Sequence, residues 1–162
     1  MTLTVKEYNK IVDQWADGLF RFAMSMCKDE DVSKDAVQDA FVKLWERRDQ
    51  VDPTKVKSYL FTTVNHKIID GFRRDKKYEA IDETPINDAT HQESHDLQEI
   101  LHEALNTLPE IHRSVILLRD YEGYNYDEIA DITGLTLSQV KVYIFRGRQK
   151  LKQYIGSIEA VL

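Results

Sequence analysis

The sequence predicts an all-α chain: two small helical domains joined by an acidic linker. Apolar residues recur three or four apart along most of the chain, the spacing of helix faces, and no run alternates as a strand would. Glycine and proline are scarce, six and three in 162 residues. Between Lys77 and Arg113 there is no cation at all, and the helical pattern is interrupted there by a polar, acidic stretch containing Pro85.

Residues 5–27 place Val5, Tyr8, Ile11, Val12, Trp15, Leu19, Phe22 and Met26 on one helical face. Residues 33–47 repeat the pattern with Val37, Ala40, Phe41, Leu44 and Trp45, leaving Asp35, Gln38, Asp39 and Glu46 on other faces. Asp52-Pro53-Thr54 reads as a turn. A third helix, about 55–75, carries Leu60, Phe61, Val64, Ile68 and Phe72. The pattern resumes at Leu97 and stops before Pro109, which suits the first turn of a helix because that position needs no amide donor. The next helix runs through Ile111, Val115 and Leu118 to a break at Gly123. These boundaries predict a first domain over 1–78, a linker over 79–95 and a second domain over 96–162.

The net charge of -6 hides its distribution. Residues 1–80 carry 15 cations and 14 acids, 81–108 carry seven acids and no cation, and 109–162 carry seven of each. Each flanking block ends in a basic cluster, Arg73–Lys77 and Lys141–Lys152, and local clusters set the field felt within a Debye length of about 8–10 Å. Uncharged apolar runs are only a few residues long, as in Val115–Leu118, and the first 15 residues carry charges throughout. The sequence therefore predicts neither a membrane span nor a secretory signal, and a cytoplasmic location. Cys27 is the single cysteine, which excludes an internal disulfide and reads as a buried apolar residue. No phosphate-binding glycine loop, nucleophile elbow or HExxH motif is present, so no enzymatic activity and no cofactor are expected. His91, His95, Glu99 and His102 have spacings compatible with a helical metal site, but solvated linker histidines explain them better, and no metal is expected.

The most informative segment is 124–155. Asn125 and Glu128 form a capping box, Gly134 ends the helix, and Thr136 with Gln139 opens the next. Leu135 and Val140 have the spacing of a hydrophobic staple. Ala130, Gly134 and Val140 thus sit where a helix-turn-helix needs a small residue, a turn and a branched apolar lock. Val140, Ile144, Leu151 and Ile155 face inward, with Gly147 allowing close approach. The other surfaces carry Ser138 among others; Gln139 and Tyr143 are candidates to read bases, and Lys141, Arg146, Arg148 and Lys150 to grip phosphates. A surface helix with merely solvated cations is the plainer alternative. In the third helix, Tyr59, Thr62, Asn65, His66 and Arg73 can share one side, with Arg74 adjacent. Rings stack on unpaired bases, amides read base edges and arginines neutralise phosphates. Phe61 reads as core, while Tyr59 fits either role.

With these motifs in order, the chain resembles the extracytoplasmic-function sigma factors, in about nine-tenths of its length. SKDAVQDAFVKLWERR (33–48) looks like the family's polymerase-docking helix, which implies that Asp35, Gln38 and Asp39 engage the clamp helices of core RNA polymerase. VKSYLFTTVNHKIIDGFRR (56–74) is similar to the helix that opens and reads the −10 element, and implies that role for Tyr59, Thr62, Asn65, His66, Arg73 and Arg74. The segment 108–151 resembles the domain that reads the −35 element and contacts the polymerase flap, which implies that Ser138, Gln139, Lys141, Tyr143, Arg146 and Arg148 meet promoter DNA. The resemblance further implies control by an anti-sigma partner. It departs from the family at Tyr59, where relatives often carry tryptophan, and at Val142 and Tyr143, where they often carry small polar and basic residues. The acidic linker resembles the family's connector, and its composition fits a disordered spacer equally. Two competing readings remain: a dimeric helix-turn-helix regulator binding symmetric duplex half-sites alone, and a helical interaction module with no working DNA face.

Overall fold

The computed structural model describes residues 2–79 and 97–161, all helices and connections with no strand among them. Most of the linker, with His91 and His95, lies outside the described residues. The first helix, α1 (Val5–Cys27), starts where the Thr4 hydroxyl accepts from the Glu7 amide at 3.2 Å. It ends at Lys28, held in the left-handed conformation. Helix α2 (Glu30–Glu46) begins three residues before the predicted start because Asp29 accepts from the Val32 amide and caps it. Asp52 caps a 3-10 turn at Pro53–Lys55 in the same way, accepting from Thr54 N at 2.9 Å, and α3 follows over Val56–Glu79.

These three helices close around Leu19, Phe22 and Met26 of α1, Ala36, Ala40 and Leu44 of α2, and Leu60, Phe61, Val64 and Ile68 of α3. Tyr8 ties α1 to α2, its ring meeting Trp45 edge-on at 5.0 Å and its hydroxyl donating to Phe41 O.

The second half comprises α4 (Leu97–Asn106), α5 (Glu110–Ile116), a π-helical turn at Leu117–Tyr121, α6 (Tyr126–Thr133) and α7 (Leu137–Val161). Pro109 stands at the N-cap position of α5, just before rather than within its first turn, and its carbonyl accepts from Arg113 N. Both predicted capping boxes form: Asn125 exchanges bonds with Glu128, and Thr136 with Gln139. Gly134 takes φ +75° and donates to Ala130 O, a turn that L side chains resist. Gly147 faces Ile116 so closely that a Cβ would sit 2.9 Å from Ile116 Cγ1.

The two halves pack against each other, and buried residues of both join one cluster. Tyr124, 2% exposed, leaves the second half and meets Phe61 of α3 edge-on at 5.5 Å. Lys57 lies over the Tyr124 ring at 4.3 Å, and Arg21 and Lys76 pair with Glu122 and Glu110 at 3.3 and 2.9 Å. The deepest member of this seam is Arg113. Its Nε donates to Leu105 O and its Nη2 to Leu108 O, at 3.0 and 3.2 Å, while Nη1 reaches Met26 O. No carboxylate among the described residues forms a salt bridge with it. It instead caps the C-terminal ends of α1 and α4, where backbone carbonyls lack partners and the helix dipole favours a cation.

Candidate polymerase and promoter interfaces

Three surfaces hold the residues singled out above. On α2, Asp35 and Gln38 are exposed and Asp39 is half-buried. Lys67 of α3 reaches both acids, at 3.1 Å to Asp35 and 3.6 Å to Asp39, and Lys43 adds a contact to Asp39 at 3.2 Å. Burial works to raise the Asp39 carboxyl, but Lys43 and Lys67 outweigh it and hold the group below the usual carboxylate range. Asp35 and Asp39 are thus tied to α3 through Lys67, with Gln38 exposed on the same helix.

The α3 surface is brought together only in part. Tyr59, Thr62 and His66 line a groove against α2 whose charged walls are mixed, with Lys43, Arg47, Lys67 and Arg74 beside Asp39 and Asp70. Arg73 is exposed. Tyr59 is half-buried, packed against the core and lining the groove. Thr62 donates its hydroxyl to Ser58 O, at 2.6 Å. Asn65 departs from expectation: it is completely buried, turned into the seam where Ser114 donates to its Oδ1. One helical step separates the outward His66 from the inward Asn65, so the two do not share a face here. A second cleft is walled by Arg47, Lys55, Tyr59 and Thr62 on one side and by Glu128 and Asp131 of α6 on the other. Carboxylates of the helix-turn-helix thus stand across from Arg47 and Lys55, near the start of α3.

On α7, Ser138, Lys141 and Arg146 are exposed as expected. The other three candidates are engaged elsewhere. Gln139 Oε1 accepts from Thr136 N at 2.9 Å, leaving only its amide donors for a base. Tyr143 lies against the His112 ring, with centroids 4.7 Å apart. Arg148 forms a fork with Asp120, at 3.2 and 2.6 Å. Sequence reasoning gives no role to Phe145 and marks Val142 only as a departure, yet they are 63% and 41% exposed on the same helix. It also misses Arg113, whose only signal is a lone cation between the apolar positions Ile111 and Val115. Cys27 is half-buried, its Sγ 3.2 Å from Ser33 Oγ.

Comparison with known proteins agrees with this layout. Residues 11–78 match the family described as sigma-70 region 2, and residues 98–151 match sigma-70 region 4. The chain is 31% identical over 135 residues to the RNA polymerase sigma factor SigV of Bacillus subtilis, covering 82% of this chain and 81% of SigV. The chain belongs to the RNA polymerase sigma factors. Within that family it is also similar to the ECF sigma factor SigM of the same organism, 28% identical over 150 residues, covering 89% of this chain and 92% of SigM. Among solved structures, the sigma factor RpoE in complex with the anti-sigma factor NepR from Bartonella quintana superposes with a TM-score of 0.80 at 26% identity, covering 94% of this chain and 98% of that one. CnrH in complex with the cytosolic domain of CnrY gives 0.73 at 25% identity, covering 95% and 90%. This sigma factor is accordingly of the ECF class and is an initiation factor, with no enzymatic step of its own. Membership sets aside the dimeric-regulator reading. No helix among the described residues is long and apolar enough to cross a membrane.

Proposed function

We propose that this sigma factor divides promoter recognition between its halves, with residues 1–78 and 96–162 acting as the two working domains. The α2 surface of Asp35, Gln38 and Asp39 docks on the clamp helices of core polymerase. The α3 groove of Tyr59, Thr62 and His66, with Arg73 and Arg74 beyond it, holds the melted −10 strand. Helix α7 enters the major groove at −35, with Ser138 and the Gln139 amide toward base edges and Lys141 and Arg146 on phosphates. The second domain also meets the polymerase flap. The protein works in the cytoplasm, and an anti-sigma partner holds it inactive. Support for that partner comes from RpoE and CnrH, each solved in a complex, with NepR and with the cytosolic domain of CnrY.

One observation carries this reading: a helix-turn-helix with both capping boxes closed shares a chain with a groove on α3 in which Tyr59, Thr62 and His66 stand beside Arg47 and Arg74. Core polymerase supplied with the purified protein and a promoter library, followed by sequencing of transcript starts, tests it. New starts preceded by paired −10 and −35 motifs are expected. Unchanged starts would remove the assignment.

A further inference from the structure

The exposed face of α7 has an apolar midline. Val140, Ile144 and Gly147 point into the body. At about 100° of turn per residue, the opposite line of the helix runs through Ser138, Val142, Phe145 and Gln149. All four are exposed, and Val142 and Phe145 are the large apolar side chains among them. Single exposed apolar residues are ordinary on protein surfaces. These two are different in position: they are neighbours at i, i+3, with Lys141 along one edge and Arg146 along the other. A dry strip between two cations is complementary to a groove whose walls are phosphates and whose floor carries something apolar.

In the DNA major groove only thymine supplies that, through its 5-methyl group. Meanwhile hydrogen-bond reading is thinned on this face: the Tyr143 ring rests on His112 and the Gln139 acceptor holds its cap, which leaves Ser138 and the Gln139 amide. We infer that Val142 and Phe145 determine −35 specificity by packing against thymine methyl groups. This rests on the assignment of α7 to the −35 element.

Uracil tests it, because it pairs as thymine does and lacks only the methyl. Holoenzyme made from the full chain and core polymerase is challenged with promoters in which each −35 thymine, on either strand, is replaced singly by uracil. The expected result is about fourfold weaker binding at one or more positions, the effect of one buried methyl. Phe145→Ala or Val142→Ala abolishes that penalty at its own position while leaving the melting temperature unchanged. Indifference of the unmutated protein to every uracil overturns the inference, as does a penalty that survives both substitutions. A Phe145→Ala protein that binds core polymerase more weakly without DNA also overturns it, since Phe145 would then contact protein. Failure of the unmutated protein to form any polymerase-dependent promoter complex defeats the −35 assignment itself, and is a separate result.

Discussion

Ser114 Oγ donates to Asn65 Oδ1 across the seam between the two halves, and both residues have 0% exposure. Asn65 Nδ2 has no hydrogen-bond partner among the described residues. The Asn65 amide is therefore held by a serine of the other half, and is available to another partner only when the seam parts. Ser114→Val leaves the Asn65 amide buried without any partner, which costs about 1–3 kcal/mol. Small-angle scattering should show a larger radius of gyration for this variant. An unchanged radius would mean that the apolar contacts hold the seam alone.

Arg113 should be the most costly single truncation in the seam. Arg113→Met removes a charged donor from the carbonyls of Met26, Leu105 and Leu108 and strands them inside. Hydrogen bonds to charged groups contribute about 1.5–3 kcal/mol each, so urea unfolding should report a loss of about 3 kcal/mol or more. A loss below about 1 kcal/mol would show that water replaces the guanidinium.

Two glycines make an internally controlled pair. Gly71 lies in α3 with nothing within 4 Å of where a Cβ would stand, so Gly71→Ala should stabilise by about 0.5–1 kcal/mol through helix propensity. Gly147→Ala places its methyl 2.9 Å from the buried Ile116 and should instead destabilise by about 1–2 kcal/mol. Thermal melts of the two variants should move in opposite directions.

The Asp39 carboxyl is held below its usual range, so its contribution to stability is present above the unfolded value near pH 4 and is lost as pH falls through the folded one. Because the site is partly open, that contribution is under about 1 kcal/mol. Asp39→Asn should flatten the acid limb of the stability profile by that amount. Asp39→Lys should leave the fold intact and abolish association with core polymerase; retained association would reassign the α2 surface.

Salt dependence separates the cations of α7. Lys141→Ala and Arg146→Ala should each reduce the slope of log binding against log salt by about one. Arg148 is already paired with Asp120, so Arg148→Ala should change that slope less. Equal effects from all three would mean that Asp120 releases Arg148 on DNA.

Local chemistry is readable in the sequence and tertiary chemistry is not. Asn125, Glu128, Gly134, Thr136 and Gln139 act within a few residues of themselves, so cap geometry alone draws the helix-turn-helix. Asp29 escapes notice as the cap of α2 because the apolar pattern there starts later than the helix. Periodicity places a residue on a face only to within a step or so, and that tolerance is what confuses Asn65 with His66. Tyr143 lies on the flank of α7, and only the His112 ring on α5 decides which way it leans. Arg113 satisfies carbonyls from α1 and α4, 87 and eight residues away in sequence, and no local rule finds such partners.

The Thr136–Gln139 box has a consequence for how such a factor changes its targets. Gln139 holds the start of α7 and, on the proposed −35 assignment, also faces the DNA, so a substitution there would be felt twice, once in folding and once in reading. Ser138, Val142, Phe145 and Gln149 carry no such double duty. On the proposed −35 assignment, drift toward new promoters is channelled into those four positions, where selection on target choice and selection on folding act separately.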